Sequence, residues 1–226
     1  MKSSALPLAL AGIAGLAAGP AFGQNANQVW TGAFASGPVK ENSRMLVWID
    51  AHARFNGEGD QLNTTILRPG IGWRVSPRLD VWAGYAHITL HRPGPDGQEH
   101  RAWQQATYPV AEIAGGRLTG RTRLEQRFRE GGDETGWRLR QFMRWSRPIA
   151  GPELTLVASN ETFIAFNDTD WGQNSGYDQN RAFVGVGWQV TPKFRLEGGY
   201  MNQQIDGGSG PDRRNDNFVL NGFATF

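Results

Sequence analysis

Residues 116–129, GRLTGRTRLEQRFR, decide how this chain must be read. Arg117, Thr119, Arg121, Arg123, Glu125, Arg127 and Arg129 fall on one side of a period-two pattern, with Leu118, Leu124 and Phe128 on the other. That is the alternation of a β-strand with one wet face and one apolar face. The next segment answers it, with Arg138, Arg140 and Arg144 opposite Trp137, Leu139, Met143 and Trp145. Residues 43–55 repeat the contrast, setting Met45, Val47, Ile49, Ala51, Ala53 and Phe55 against Arg44, Trp48, Asp50, His52 and Arg54.

Outward from this stretch the chain divides into eleven alternating segments: 28–36, 43–55, 61–75, 79–90, 99–108, 116–129, 135–147, 153–166, 179–190, 193–205 and 214–226. Most are longer than the roughly five or six residues common in strands of soluble proteins. A soluble sandwich with its charges outward also alternates, so other features must choose. Short turns (Val75 to Leu79, Arg147 to Glu153, Val190 to Lys193) alternate with longer polar loops (His91 to Gln98, Asn167 to Asp178, Asp206 to Arg213). Bacterial outer-membrane barrels alternate in this way.

The ends of the chain agree. Lys2, an apolar stretch from Ala5 to Ala18 and Ala21-Phe22-Gly23 read as an export signal over residues 1–23, leaving 24–226 as one domain. The final segment carries Phe218, Leu220, Gly222, Ala224 and Phe226 on one face, and a terminal Phe226 resembles the signal read by the barrel-assembly machinery. After residue 23 no run of 18 apolar residues remains, so a membrane-spanning chain has to be a barrel. The expected fold is all-β, an antiparallel transmembrane barrel in the bacterial outer membrane. Eleven segments conflict with the even strand number of such barrels. Ten is therefore expected, with the Trp30 segment doing something else such as occupying the lumen, and twelve is the alternative.

Residues 72–85, GWRVSPRLDVWAGY, match residues 187–200, GWQVTPKFRLEGGY, without a gap. Both read as a hairpin turning at Ser76-Pro77-Arg78 or Thr191-Pro192-Lys193, with Trp73 and Trp188 near the inner interface. Two copies of one folding solution explain the repeat more simply than a shared binding role.

Composition excludes several classes. With no cysteine there is neither a disulfide framework nor a thiolate metal site. Basic and acidic residues nearly cancel, which is no nucleic-acid footprint. After residue 23 the only lysines are Lys40 and Lys193. An arginine bias fits charges held in a confined interior, and a GC-rich genome gives the same bias.

The order Trp30 with Phe34, Arg101-x-Trp103-Gln104-Gln105, the run Arg121 to Arg127 (RTRLEQR), Arg138-Leu139-Arg140 and Asp178-Gln179-Asn180-Arg181 resembles the family catalogued as domain of unknown function 2490. The resemblance covers nearly the whole chain after residue 23, and RTRLEQR followed by RLR is its most specific part. It implies an outer-membrane β-barrel and brings no catalytic residues. The Pro69-Gly70 pair in the third segment departs from it and is expected to kink or shorten that strand.

The candidate lumen-lining side chains are Asp50, His52, Arg54, Arg101, Arg121, Arg123, Glu125, Arg127, Arg138, Arg140, Arg144, Glu161, Arg181 and Glu197, with Arg68, Glu99 and Arg195 on the same faces. Two roles follow: a wall stiffened by arginine–carboxylate bridges, or a narrow passage preferring anions, since rings of arginine favour them. The alternative is a lipid-modifying enzyme drawing on His87, His91 or His100 and on Ser159, Ser175 or Ser209, although no motif joins these. Asp168 and Asp170 have the spacing of a calcium loop, but Gly172 and Gln179 stand where ligands belong, so a polar loop tip is the simpler reading. No catalytic residue, metal or cofactor is expected. The expected partners are outer-membrane lipids and the assembly machinery, with the protein a monomer.

Overall fold

Alternating segments joined by short connections pair most simply with their sequence neighbours, and the computed structural model shows that arrangement. It describes residues 24–57 and 59–226; the expected export signal lies outside the described residues. Among the described residues there are eleven strands: β1 (Gln24–Pro38), β2 (Met45–Asn56), β3 (Gln61–Ser76), β4 (Leu79–Leu90), β5 (Gly97–Ile113), β6 (Gly116–Arg129), β7 (Gly136–Ala150), β8 (Leu154–Ala165), β9 (Gly176–Thr191), β10 (Phe194–Ile205) and β11 (Arg213–Thr225). They close into a barrel in which every sequence neighbour pairs antiparallel, and β1 closes on β11 in parallel, from Gln24 opposite Arg213 to Ser36 opposite Thr225.

This corrects the expected strand number of ten, with twelve as the alternative: eleven strands close the barrel among the described residues. It also corrects the role expected for the Trp30 segment, because β1 is a wall strand bonded on both sides and not a lumen plug. The even-number rule assumes that both chain ends leave by the same rim. An odd count in an up-and-down barrel makes the first and last strands run the same way, so β1 begins at the rim of the long loops and β11 ends at the rim of the short turns.

Prolines explain the strand ends that the sequence misplaces. The fifth and seventh segments continue past Pro109 and Pro148, because each proline sits at a register shift in its ladder. The residue left unpaired in each bulge is the one after the proline, Val110 or Ile149, and prolines within sheets gather at such bulges. The expected kink at Pro69-Gly70 does not interrupt β3: Pro69 pairs with Ile49 and Gly70 with Trp48. Both repeated hairpins are present, turning between β3 and β4 and between β9 and β10. Trp73 and Trp188 project outward from them, half-exposed, at matching positions near the short-turn rim.

The outer face carries Ile49, Leu67, Ile71, Val184, Val186, Phe218 and Leu220, all exposed. Inside, apolar side chains gather in two places. Leu46, Ile66, Trp82, Ala86, Ile88 and Trp103 pack on the inner face of β2 to β5, and Trp30, Val157, Phe183 and Val219 pack where β1, β8, β9 and β11 face inward. The first cluster depends on inward glycines. A Cβ on Gly84 would lie 2.3 Å from the Trp103 ring, and one on Gly72 would lie 2.4 Å from the Trp82 ring. These glycines are the seats on which the indoles lie flat against the wall.

Candidate functional site

Period-two alternation sends the arginines and carboxylates of β6 to β10 into the barrel, where each carboxylate gathers several guanidinium groups. Glu125, 1% exposed, accepts from Arg138 Nη2 and Arg140 Nη1, both at 2.7 Å. Glu161 accepts from Arg121 Nη2 at 2.5 Å and Arg140 Nη2 at 2.8 Å. Glu99 accepts from Arg101 at 2.6 Å and Arg127 at 2.7 Å, and Glu197 holds Arg144 through both oxygens at 2.9 and 2.6 Å. On β2, Asp50 binds Trp48, His52 and Arg68. Charged hydrogen bonds of this kind are stronger than neutral ones, and they tie strands that are not ladder neighbours, such as β7 to β10.

Cations outnumber anions, and some are left over. Arg123 is fully buried; its Nε donates to Gln105 at 2.8 Å, while Nη1 and Nη2 have no hydrogen-bond partner and the Trp103 ring lies 4.5 Å from its guanidinium carbon. Arg54 makes no ion pair among the described residues. Its guanidinium lies over the Trp30 ring at 3.9 Å, and its Nε is buried without a partner. Arg181 lies over the same indole at 4.9 Å and reaches Glu161 only at 4.0 Å.

Among the described residues, two cavities stand out in the interior. The larger, about 1110 Å³, runs to the short-turn rim at Ser76, Pro77 and Arg78, and its lining contains eleven arginines against the three carboxylates Asp80, Glu161 and Glu197. The smaller, about 320 Å³, lies under the long loops. Arg54, Arg68, Arg140 and Arg181 line both. These four side chains lie between a lower chamber and an upper one.

The loop between β8 and β9 lies over the upper chamber. Trp171 rests on Gly132 and Gly136, where a Cβ would approach its ring to 2.3 and 2.6 Å. Gln173, buried, accepts from Arg127 Nη1 at 3.0 Å. Asp170 accepts the backbone N–H of Asp133 at 2.8 Å and Asp168 that of Ser175 at 2.6 Å. Accepting from Ser175 holds the Asp168 carboxyl below the usual carboxylate range. The two aspartates with calcium-loop spacing therefore fasten loop backbone.

The residues considered for lipid chemistry are placed apart. His87 and His100 stack at 5.1 Å on the outer face beside Tyr85, and His91 binds Asp96 at 3.0 Å. Ser159 lines the lower chamber, while Ser175 and Ser209 lie in loops. Among the described residues, no three His, Asp or Glu side chains converge as metal ligands would.

Several side chains that shape this interior escape a reading that tracks charge. Trp103 faces inward between Arg101 and Gln105 on a strand that turns His100 and Gln104 outward, and Trp82 faces inward on a strand with Val81 and Ala83 outside, so contrast between the faces does not mark them. A detectable signal does exist: inward glycines at 70, 72 and 84, in register with bulky residues on the adjacent strand. For the loop, the corresponding signal is Trp171 opposite Gly132 and Gly136.

The chain is 33% identical over 179 residues to an uncharacterized protein of Methylorubrum extorquens, an alignment spanning 78% of this chain and 77% of that one. The family model described as protein of unknown function (DUF2490) matches residues 27–215, from the start of β1 into β11, and the chain belongs to that family.

Proposed function

We propose that the protein spans the outer membrane as a barrel that is closed to steady flow and takes anions into its lower chamber from the periplasmic side. One observation carries this reading. A lower chamber lined by eleven arginines and three carboxylates ends on the four arginines that also line the chamber above. The excess of positive charge attracts anions, while these four arginines and the loop above them block through passage.

The membrane part of the proposal draws on the apolar outer face, the half-exposed Trp73 and Trp188 near one rim, and the alternation of short turns with long loops. Phe226, exposed at the end of β11, is the proposed signal for the assembly machinery. Lumen residues Asp50, His52, Arg54, Arg101, Arg121, Arg123, Glu125, Arg127, Arg138, Arg140, Arg144, Glu161, Arg181 and Glu197 serve as wall ties and as the cationic lining.

Planar-bilayer recording tests the reading. Wild type is expected to give no steady conductance, and the double variant Arg140→Ala/Arg181→Ala to give steps selective for chloride over potassium. A steady open current from wild type would overturn it.

A further inference from the structure

The charge that the fold leaves without a partner identifies what the lower chamber holds. A buried cation is normally paired, because the desolvation it suffers must be offset by a counter-charge. Arg54 lacks one among the described residues, and Arg181, over the same Trp30 indole, has only a distant carboxylate oxygen at 4.0 Å. Both guanidinium groups line the deep end of the lower chamber, so an anion entering from the rim reaches them.

One stretch of the wall beside them is apolar, although Asn221 and Arg195 line the chamber near it. Trp30, Phe183 and Val219 form one buried apolar cluster with Met201 packed on it, and all four line the chamber. Phe34 and Phe223, stacked at 4.7 Å, continue the apolar surface towards the short-turn rim. A small hydrated anion would leave this surface wet. An apolar tail would cover it.

We propose that the lower chamber binds an amphiphilic anion, with its acidic head on Arg54 and Arg181 and its apolar tail along Phe183, Met201, Val219 and Phe34 towards the rim. A volume of about 1110 Å³ exceeds the roughly 300–1,000 Å³ of common small-molecule sites, which leaves room for a chain as well as a head. The proposal rests on the anion-accepting reading above and adds the tail. A carboxylate and a phosphate monoester present the same chemistry to two guanidinium groups, and the experiment separates them.

The test is titration calorimetry on the refolded full-length barrel in amphipol, with octanoate, octyl phosphate, octanol and acetate as probes. Octanoate or octyl phosphate is expected to bind at least tenfold more tightly than either octanol or acetate, and the tighter of the two names the head group. Arg54→Gln is expected to weaken that binding at least tenfold, and Arg54→Lys to keep it within about threefold. Met201→Gln is expected to weaken the eight-carbon acids and leave acetate unchanged. Circular dichroism and the heat-dependent shift on gels confirm that each variant is folded. Octanol binding as tightly as the acids, acetate binding as tightly as octanoate, or an unchanged affinity in folded Arg54→Gln would each overturn the proposal. A conducting wild type that still prefers the eight-carbon acids would end the closed-barrel reading and leave this inference standing; a silent barrel without that preference would do the reverse.

Discussion

The two sides of the barrel interior are filled by opposite means. Along β2 to β5 the space is taken by Leu46, Ile66, Trp82, Ile88 and Trp103, seated on glycines. Along β6 to β8 it is taken by arginines bridged through Glu125 and Glu161. The apolar side needs only close contact, and each fully buried aliphatic side chain such as Leu46 or Ile88 contributes about 1.5–3 kcal/mol. The ionic side must satisfy every donor, and it stops short at Arg123 on β6; Arg54, on β2, is likewise left with a buried Nε. Contact is complete around the tryptophans, while a demand for negative charge stays unfilled among the arginines.

Removing the central member of each side breaks the comparison most severely. Trp103→Ala is expected to lower unfolding free energy by about 3–5 kcal/mol, read from urea midpoints in lipid vesicles, because the indole leaves a void that the glycines at 70 and 84 cannot fill. Glu125→Gln is expected to cost a similar amount, about 3–5 kcal/mol, by leaving Arg138 and Arg140 facing each other. The two sides then part company. Adding Arg138→Met to Glu125→Gln is expected to restore part of the loss, since it removes one of the two facing cations and leaves only the partly exposed Asp178 without its partner, whereas no single change elsewhere refills the Trp103 void.

Gly84→Ala sharpens the contrast from the other direction. A Cβ there meets the Trp103 ring at 2.3 Å and the Pro69 carbonyl oxygen at 2.4 Å, so overpacking of about 1–3 kcal/mol is expected in the same urea series. Trp171→Ala is the mildest. It is expected to lower stability by about 1 kcal/mol and to make the β8–β9 loop open to limited proteolysis, while the barrel itself stays resistant.

How much of this the sequence discloses depends on what kind of fact is at issue. Strands β4 and β6 are bounded in the sequence as they are in the fold, because Pro77, Gly115 and the polar loops punctuate them. Strands β5 and β7 run beyond their apparent ends, since Pro109 and Pro148 look like terminators until a bulge accommodates them. The closure of β1 on β11 is invisible locally. Nothing in QVWTGAF states which edge it will meet, and a rule about even numbers pointed the wrong way. For the interior, the alternating arginines of 117–129 are plain, but the carboxylate each one meets is set by barrel stagger, which brings Arg144 of β7 to Glu197 of β10. The tryptophan seats stay hidden because Val81 and Ala83 lie outside Trp82 on β4, and Trp103 stands among Arg101 and Gln105 on the inner face of β5.

The central claim is that four arginines divide the interior into two compartments. With no native cysteine, the chain offers a clean background for labelling. Asn174→Cys places a thiol in the upper chamber and Ser159→Cys one in the lower. In intact cells treated with a membrane-impermeant maleimide, the account predicts that Asn174→Cys is labelled and Ser159→Cys is not until the outer membrane is permeabilised. Equal labelling of both from outside would contradict it.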